Sequence, residues 1–188
     1  MKFGIIKERK NPPDRRVVFT PEELVRLQSE HPEAEIKVES SDIRIFSDDQ
    51  YRNLGLNVTA DMSDCDVLFG VKEVPVDALI PNKKYFFFSH TIKKQPYNRK
   101  LLKAILDKNI ELYDHETIVD ANNHRLIGFG RYAGLVGAYN GFRGFGIKYD
   151  LFTLPKAETL SGKEDLIARL KRQTLPNIKI VLTGHGKV

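Results

Sequence analysis

Lysine, histidine, glutamate and arginine side chains recur in this chain at matching places, each just beyond a short apolar run. Lys72 and Glu73 follow Val67–Val71, His90 follows Tyr85–Phe88, and Glu116 follows Ile110–Tyr113. Arg16 closes a charged loop, Lys7 to Arg16, that follows Phe3–Ile6 and is broken by Pro12 and Pro13. An arginine suits a bidentate grip on a substrate carboxylate. A lysine becomes a base where burial or neighbouring cations lower its pKa, which fits Lys72. Histidine is the side chain that ordinarily exchanges a proton near neutral pH, so His90 suits a proton shuttle, with Glu73 and Glu116 placed to tune Lys72 or His90. The competing explanation is that Lys72 and Glu73 form a solvated pair and Arg16 is a loop charge. His31, His115 and His124 are expected at the surface. No His/Cys set has metal-ligand spacing, so no metal is expected, and no nucleophile elbow is present.

These residues share a place because the apolar runs are strands. Phe3–Ile6, Ile36 and Val38, Val67–Val71, Tyr85–Phe88 and Ile110–Tyr113 are short and rich in β-branched or aromatic side chains, the fourth being buried on both faces. Helical signals alternate with them. Thr20-Pro21-Glu22-Glu23 is a capping box with proline at the first helical position, followed by Leu24 and Leu27. Asp48–Leu54 stops at Gly55, Ala78–Ile80 stops at Pro81, and Leu101, Leu102, Ile105 and Leu106 have helical spacing. Val58 is a minor apolar point. The alternation predicts an α/β fold with a Rossmann-like (flavodoxin-like) parallel sheet and flanking helices. In such sheets ligands bind outside the carboxyl ends of the strands, where all these polar residues fall.

Residues 1–127 are expected to form this first domain, and 128–188 the link to a second. Arg131–Gly146 predicts a helix crossing between the two. Its Gly134, Gly137, Ala138 and Gly141 stripe implies close approach to another backbone, because each glycine costs a helix up to about 1 kcal/mol relative to alanine. Ser161-Gly162-Lys163-Glu164 is expected to cap a helix carrying Leu166, Ile167 and Leu170. Ile178, Ile180, Val181 and Leu182 predict a buried strand that runs into Thr183-Gly184-His185-Gly186-Lys187-Val188. A strand ending in G-x-G starts a dinucleotide-binding turn, with Gly184 for the bend and Gly186 for approach to the pyrophosphate. The implied cofactor is a dinucleotide whose domain is expected to be truncated; the competing explanation is a simple strand-to-turn glycine pair.

With 41% hydrophobic and 29% charged residues in 188, the composition is that of an ordinary soluble globular protein. No apolar run has membrane-spanning length, so no membrane partner is expected. The net charge of +5 is spread among acidic residues rather than gathered in one face. That argues against nucleic acid and for a cleft that takes anionic small molecules. A single cysteine, Cys65, excludes an intrachain disulfide and makes a reducing cytoplasm the default location. Its acidic neighbours Asp64 and Asp66 disfavour a thiolate, so it receives no catalytic role.

Several segments together resemble a known superfamily. Lys7-Glu8-x-Lys10 and Arg16-Val17-x-x-Thr20-Pro21 are similar to the N-terminal signature of the alanine dehydrogenase, transhydrogenase and saccharopine dehydrogenase superfamily. Val71-Lys72-Glu73-Val74-Pro75, Phe88-Ser89-His90-Thr91-Ile92-Lys93-Lys94-Gln95, Leu112-Tyr113-Asp114-His115-Glu116 and Gly128-Phe129-Gly130-Arg131-Tyr132-Ala133-Gly134 point the same way. The form H-x-x-K-x-Q is closer to the lysine-forming saccharopine dehydrogenases than to alanine dehydrogenases. The resemblance implies that Lys72 and His90 are the acid–base pair, with Glu73 and Glu116 setting their pKa values. It implies that Arg16, Lys93 and Gln95 hold an amino-acid or keto-acid substrate, and that Gly184 and Gly186 approach the NAD pyrophosphate. The implied reaction is NAD(P)-dependent oxidation at a secondary amine, giving lysine and 2-oxoglutarate. An alanine dehydrogenase-like enzyme or a non-catalytic amino/keto-acid binding module are the alternatives. The loop before Arg16 is one residue longer than in the saccharopine enzymes, so Arg15 competes for its role. Lacking most of a cofactor domain, this chain alone is expected not to turn over, and an apolar face left uncovered could drive homo-oligomerisation.

Overall fold

Met1–Gly128 and Phe129–Val188 form two compact units in the computed structural model, which describes residues 1–186 and 188. The first unit is a six-stranded, all-parallel sheet of β1 (Lys2–Ile5), β2 (Glu35–Glu39), β3 (Asn57–Thr59), β4 (Val67–Phe69), β5 (Lys84–Phe87) and β6 (Glu111–Asp114). The spatial order is β3-β2-β1-β4-β5-β6, that of a doubly wound Rossmann sheet. Without the edge strand β3, the five expected strands run 2-1-3-4-5, the flavodoxin-like order. The sequence pattern missed β3 because an edge strand of three residues needs only one inward apolar side chain, Val58.

Helix α1 (Pro21–Glu30) begins where expected: the Thr20 hydroxyl accepts the Glu23 N–H at 3.2 Å, and the Glu23 carboxylate accepts the Thr20 N–H at 2.8 Å. Helix α2 (Asp48–Arg52) has the same device in Ser47 and Gln50. Both helices connect strands on the β3–β1 side, and their buried Leu24 and Tyr51, together with Leu56 just before β3, pack with Ile5, Ile36 and Val38. Helix α3 (Arg99–Asp107) links β5 to β6. It packs Leu101, Ala104 and Ile105 on Leu68, Tyr85 and Phe87. Two distinct cores therefore support the sheet, one for each direction of winding. The directions diverge between β1 and β4, which opens a crevice at their carboxyl ends. The expectation for the aromatic fourth run needs adjustment: Tyr85 and Phe87 are buried, whereas Phe86 is only partly so and stacks between Phe69 at 4.7 Å and Tyr113 at 4.5 Å. The expected helix at Ala78–Ile80 is a single 3₁₀ turn, Val76–Ala78.

The second unit holds α4 (Gly130–Lys148) and α5 (Lys163–Lys171) around Tyr139, Leu154 and Leu166. Three expectations fail here. First, Ile178–Leu182 is not a strand: Ile180, Val181 and Leu182 are exposed, the last at 95%. A parallel strand needs neighbours for its backbone groups, and this unit contains none among its described residues. Gly184 keeps a glycine-favouring φ of +92°, but without a strand before it no phosphate-binding turn forms around Gly184 and Gly186. Lys187 lies outside the described residues. Second, Ser161 does not close a capping box. Gly162 is the cap residue, and Ser161 turns to the Asp165 carboxylate at 3.3 to 3.4 Å. Third, close approach holds at only part of the glycine stripe. A Cβ at Gly134 would fall 1.8 Å from the Val188 carbonyl oxygen, whereas Gly137 and Gly141 face open space among the described residues.

Candidate active site

Four strand ends assemble the polar cluster. The loop after β1 brings Glu8, Lys10, Asp14 and Arg16, β4 leads to Lys72 and Glu73, β5 to His90, and β6 to Glu116. Side-chain contacts tie them together. His90 Nδ1 lies 3.1 Å from Glu116 Oε2, and its Nε2 lies 3.6 Å from Glu73 Oε1. The other Glu73 oxygen, Oε2, is 3.5 Å from Lys10 Nζ, an ion-pair distance without hydrogen-bond geometry. Glu116 Oε1 receives Lys93 at 3.2 Å and Arg125 at 3.5 Å. The Lys72 ammonium sits 6.0 Å from the centre of the Phe88 ring, and the Arg125 guanidinium sits 5.9 Å from it.

This arrangement sets protonation. Burial pushes the Lys72 pKa down, and the charges of Arg16 and Lys10 push it further against the pull of Glu73 and Asp14. Of the two competing arginines, Arg16 is thus one whose charge reaches Lys72. Its guanidinium is braced by Asp14, through a 2.9 Å bond from Nε and a shorter one from Nη2, which raises the arginine and lowers the aspartate. For Glu116, burial opposes ionisation, but hydrogen bonds from His90 and Lys93 prevail and hold its carboxyl below the ordinary range. A carboxylate can only accept, so His90 donates its Nδ1 hydrogen to Glu116. Its Nε2 is then the nitrogen able to take or give a proton.

His90 is a non-glycine residue in the left-handed region, with φ 56° and ψ 10°. Residues persist there only when their surroundings over-determine them, and they gather at functional sites. Both flanks supply that support. The buried Ser89 hydroxyl binds Asp114 on β6, and Asn98 Nδ2 donates to the His90 carbonyl at 3.2 Å.

The structure thus brings together Lys72, Glu73, His90, Lys93 and Glu116, with Arg16 close enough to act on Lys72. Gln95 is exposed; its carbonyl accepts the Asn98 N–H, and its side chain has no hydrogen bond among the described residues. Gly184 and Gly186 belong to the second unit. The polar turn 121–125 contributes Arg125, which sequence alone left as surface. His115 is a correction: it is buried, not a surface residue. Its Nε2–H meets the Gly70 carbonyl at 3.1 Å, and its ring packs against Phe88 at 5.2 Å. Glu8 was also missed as a site residue. Its side chain is buried and accepts two consecutive backbone N–H groups, Val71 at 2.7 Å and Lys72 at 2.9 Å.

Known proteins share both the sequence and the fold. Residues 4–136 match the family model described as alanine dehydrogenase/PNT, N-terminal domain. The alpha-aminoadipic semialdehyde synthase of Arabidopsis thaliana is 36% identical over 207 aligned residues, covering 98% of this chain and 20% of that protein. The saccharopine dehydrogenase [NAD(+), L-lysine-forming] of Candida glabrata is 29% identical, over 94% of this chain and 45% of its own length. A solved L-alanine dehydrogenase superposes with a TM-score of 0.56 at 20% identity, covering 79% of this chain and 41% of the enzyme, and shares the fold. The chain spans less than half the length of each of these proteins.

Proposed function

From the fact that the chain belongs to the alanine dehydrogenase/PNT N-terminal domain family, we propose that it is the substrate-binding and acid–base part of an NAD(P)-dependent oxidoreductase of the saccharopine dehydrogenase type. The relatives named above include a saccharopine dehydrogenase whose name specifies NAD(+) and lysine formation. The observation that carries the proposal is the strand-end assembly of Lys72, Glu73, His90 and Glu116.

The substrate would be a secondary amine joining an amino acid to a keto acid skeleton. NAD(P), when bound, would supply the hydride acceptor. Arg16 suits a substrate carboxylate, and Lys93 and Gln95 would help hold the substrate. Lys72, kept below its ordinary pKa, takes the proton of the substrate amine. His90 Nε2 activates the water that adds to the imine carbon. The carbinolamine then loses its hydroxyl proton to a base, its C–N bond breaks, and the departing nitrogen is protonated. An amine and a keto acid result, with Glu73 and Glu116 holding His90 in place throughout.

Calorimetry of the 188-residue chain with 2-oxoglutarate, lysine and alanine tests the binding half. Weakened 2-oxoglutarate binding in Arg16→Ala is the expected outcome, and no binding of any of the three would remove the assignment. For the chemistry, Lys72→Met in a polypeptide that joins this chain to a dinucleotide-binding domain should lower turnover by about 10²–10⁴, the range of general acid–base catalysis. Near-normal turnover would take Lys72 out of the mechanism.

A further inference from the structure

The Gly70–Lys72 segment leaves β4 in the middle of the sheet and presents the lysine. Three elements grip its backbone. From β5, the Phe86 carbonyl accepts the Gly70 N–H at 2.8 Å, and the Phe88 N–H reaches the Val71 carbonyl at 3.0 Å. These two bonds only continue the sheet ladder. The other two grips come from side chains on opposite sides. Glu8, past the end of β1, sets one carboxylate oxygen on the Val71 N–H and the other on the Lys72 N–H. His115, at the end of β6, reaches across β5 to the Gly70 carbonyl.

Both groups are costly to bury. An ionised carboxylate and an imidazole deep in a protein need partners that repay their lost hydration. Glu8 has two backbone donors, yet burial still raises its pKa. His115 satisfies Nε2 and leaves Nδ1 buried without a hydrogen-bond partner among the described residues. Gly70 fits this geometry: a Cβ there would meet Ile6 at 3.0 Å and approach Glu8 Oε1 at 3.6 Å.

We propose that Glu8 and His115 are positioning residues, which clasp the Gly70–Lys72 backbone from both sides and thereby hold the Lys72 side chain at the strand ends, within reach of the Arg16 charge and beside Phe88. The proposal deepens the functional assignment and rests on it only for the use to which Lys72 is put. The clasp itself can be tested without turnover.

The test reads the titration of Lys72 in the intact 188-residue chain. Its lysines are reductively dimethylated with ¹³C-formaldehyde and followed by NMR, with Lys72→Arg identifying the resonance. The groups facing Lys72 are Arg16, Lys10, Glu73 and Asp14. His115→Phe keeps the ring and removes the donor to Gly70. The Lys72 midpoint should rise toward that of an ordinary lysine as the side chain swings into water. His115→Gln, whose amide N–H reaches about as far as Nε2, should keep the native midpoint. Glu8→Gln separates positioning from charge. Loss of a nearby anion alone would lower the Lys72 midpoint, whereas loosening the clasp raises it. A rise in His115→Phe and Glu8→Gln with rescue in His115→Gln supports the clasp. An unchanged midpoint in His115→Phe overturns it, as does a fall in Glu8→Gln. Should Glu8→Gln not fold, the charge-neutral His115 pair decides alone. Absence of 2-oxoglutarate binding with these midpoint shifts intact would refute the functional assignment and leave the clasp standing.

Discussion

Glu116→Gln offers the sharpest quantitative test of the strand-end cluster, because one carboxylate there faces three bases. Oε2 accepts from His90 at 3.1 Å, and Oε1 faces Lys93 at 3.2 Å and Arg125 at 3.5 Å. The Glu116 side chain is 12% exposed, but those of Lys93 and Arg125 are 46% and 48% exposed. A hydrogen bond to a charged group contributes roughly 1.5–3 kcal/mol, and breaking a fully buried pair costs about 3–5 kcal/mol. Water can reclaim the two half-exposed cations, so the lower range applies. The substitution should cost about 1.5–3 kcal/mol at pH 7, several degrees in Tm for a domain of this size. The pH dependence makes the prediction specific. Glu116 has a folded-state pKa below its unfolded value of about 4.3. Its stabilisation is therefore fully present above that unfolded value and lost as pH falls through the folded pKa. Protonated Glu116 resembles glutamine, so wild type and variant should converge in acid. Urea denaturation of both proteins at pH 7 and pH 3 measures the gap. Other carboxylates, including the buried Glu8, titrate alike in the two proteins and drop out of the difference. An equal gap at both pH values, or none at pH 7, would show that the contacts around Glu116 carry no ionic stabilisation.

Two further outcomes follow from packing. Gly4→Ala places a Cβ 2.7 Å from Leu68, 3.0 Å from the Met62 sulfur and 3.1 Å from the Cys65 sulfur, inside the α3-side core. Overpacking of this kind should lower stability by about 1–3 kcal/mol in a denaturant melt. Tyr51, fully buried beneath Arg44, has its pKa pushed up to about 12 by burial. Its contribution is whole below the unfolded value of about 10 and fades as pH rises from there through 12, so Tyr51→Phe should flatten the alkaline loss of stability in that window.

What sequence could reveal follows the range of the forces involved. Strands β1, β2, β4, β5 and β6 announce themselves because each buries its own side chains, and the helix caps at Thr20 depend on residues three apart. That Lys72, His90 and Glu116 would lie on one rim could be read because strand ends are legible and a parallel sheet puts those ends together. His115 gave no such signal. Set between Asp114 and Glu116, it looks like part of a polar turn, and its burial comes from Phe88 on the next strand and from a carbonyl two strands away. Glu8 was hidden likewise, since its partners lie 63 and 64 residues further on. Ile178–Leu182 is the converse case: the local pattern of a buried strand is complete, but burial is a property of neighbours, and its unit provides none.

The same distinction explains why the cluster is worth its cost in stability. His90 in a left-handed conformation and a His115 nitrogen with no hydrogen-bond partner among the described residues each oppose folding locally, by about 1–3 kcal/mol for backbone strain or an unsatisfied polar group, and the buried Glu8 adds the cost of its lost hydration. Nothing in the two apolar cores requires them, since Leu24, Tyr51 and Val38 pack on one face and Leu68, Phe87 and Ile105 on the other without touching that account. They meet only at the carboxyl ends of β1, β4, β5 and β6, around one lysine and one histidine. Unfavourable local choices that converge at one rim, around a reactive lysine and histidine, are the pattern expected when a fold holds reactive groups in place.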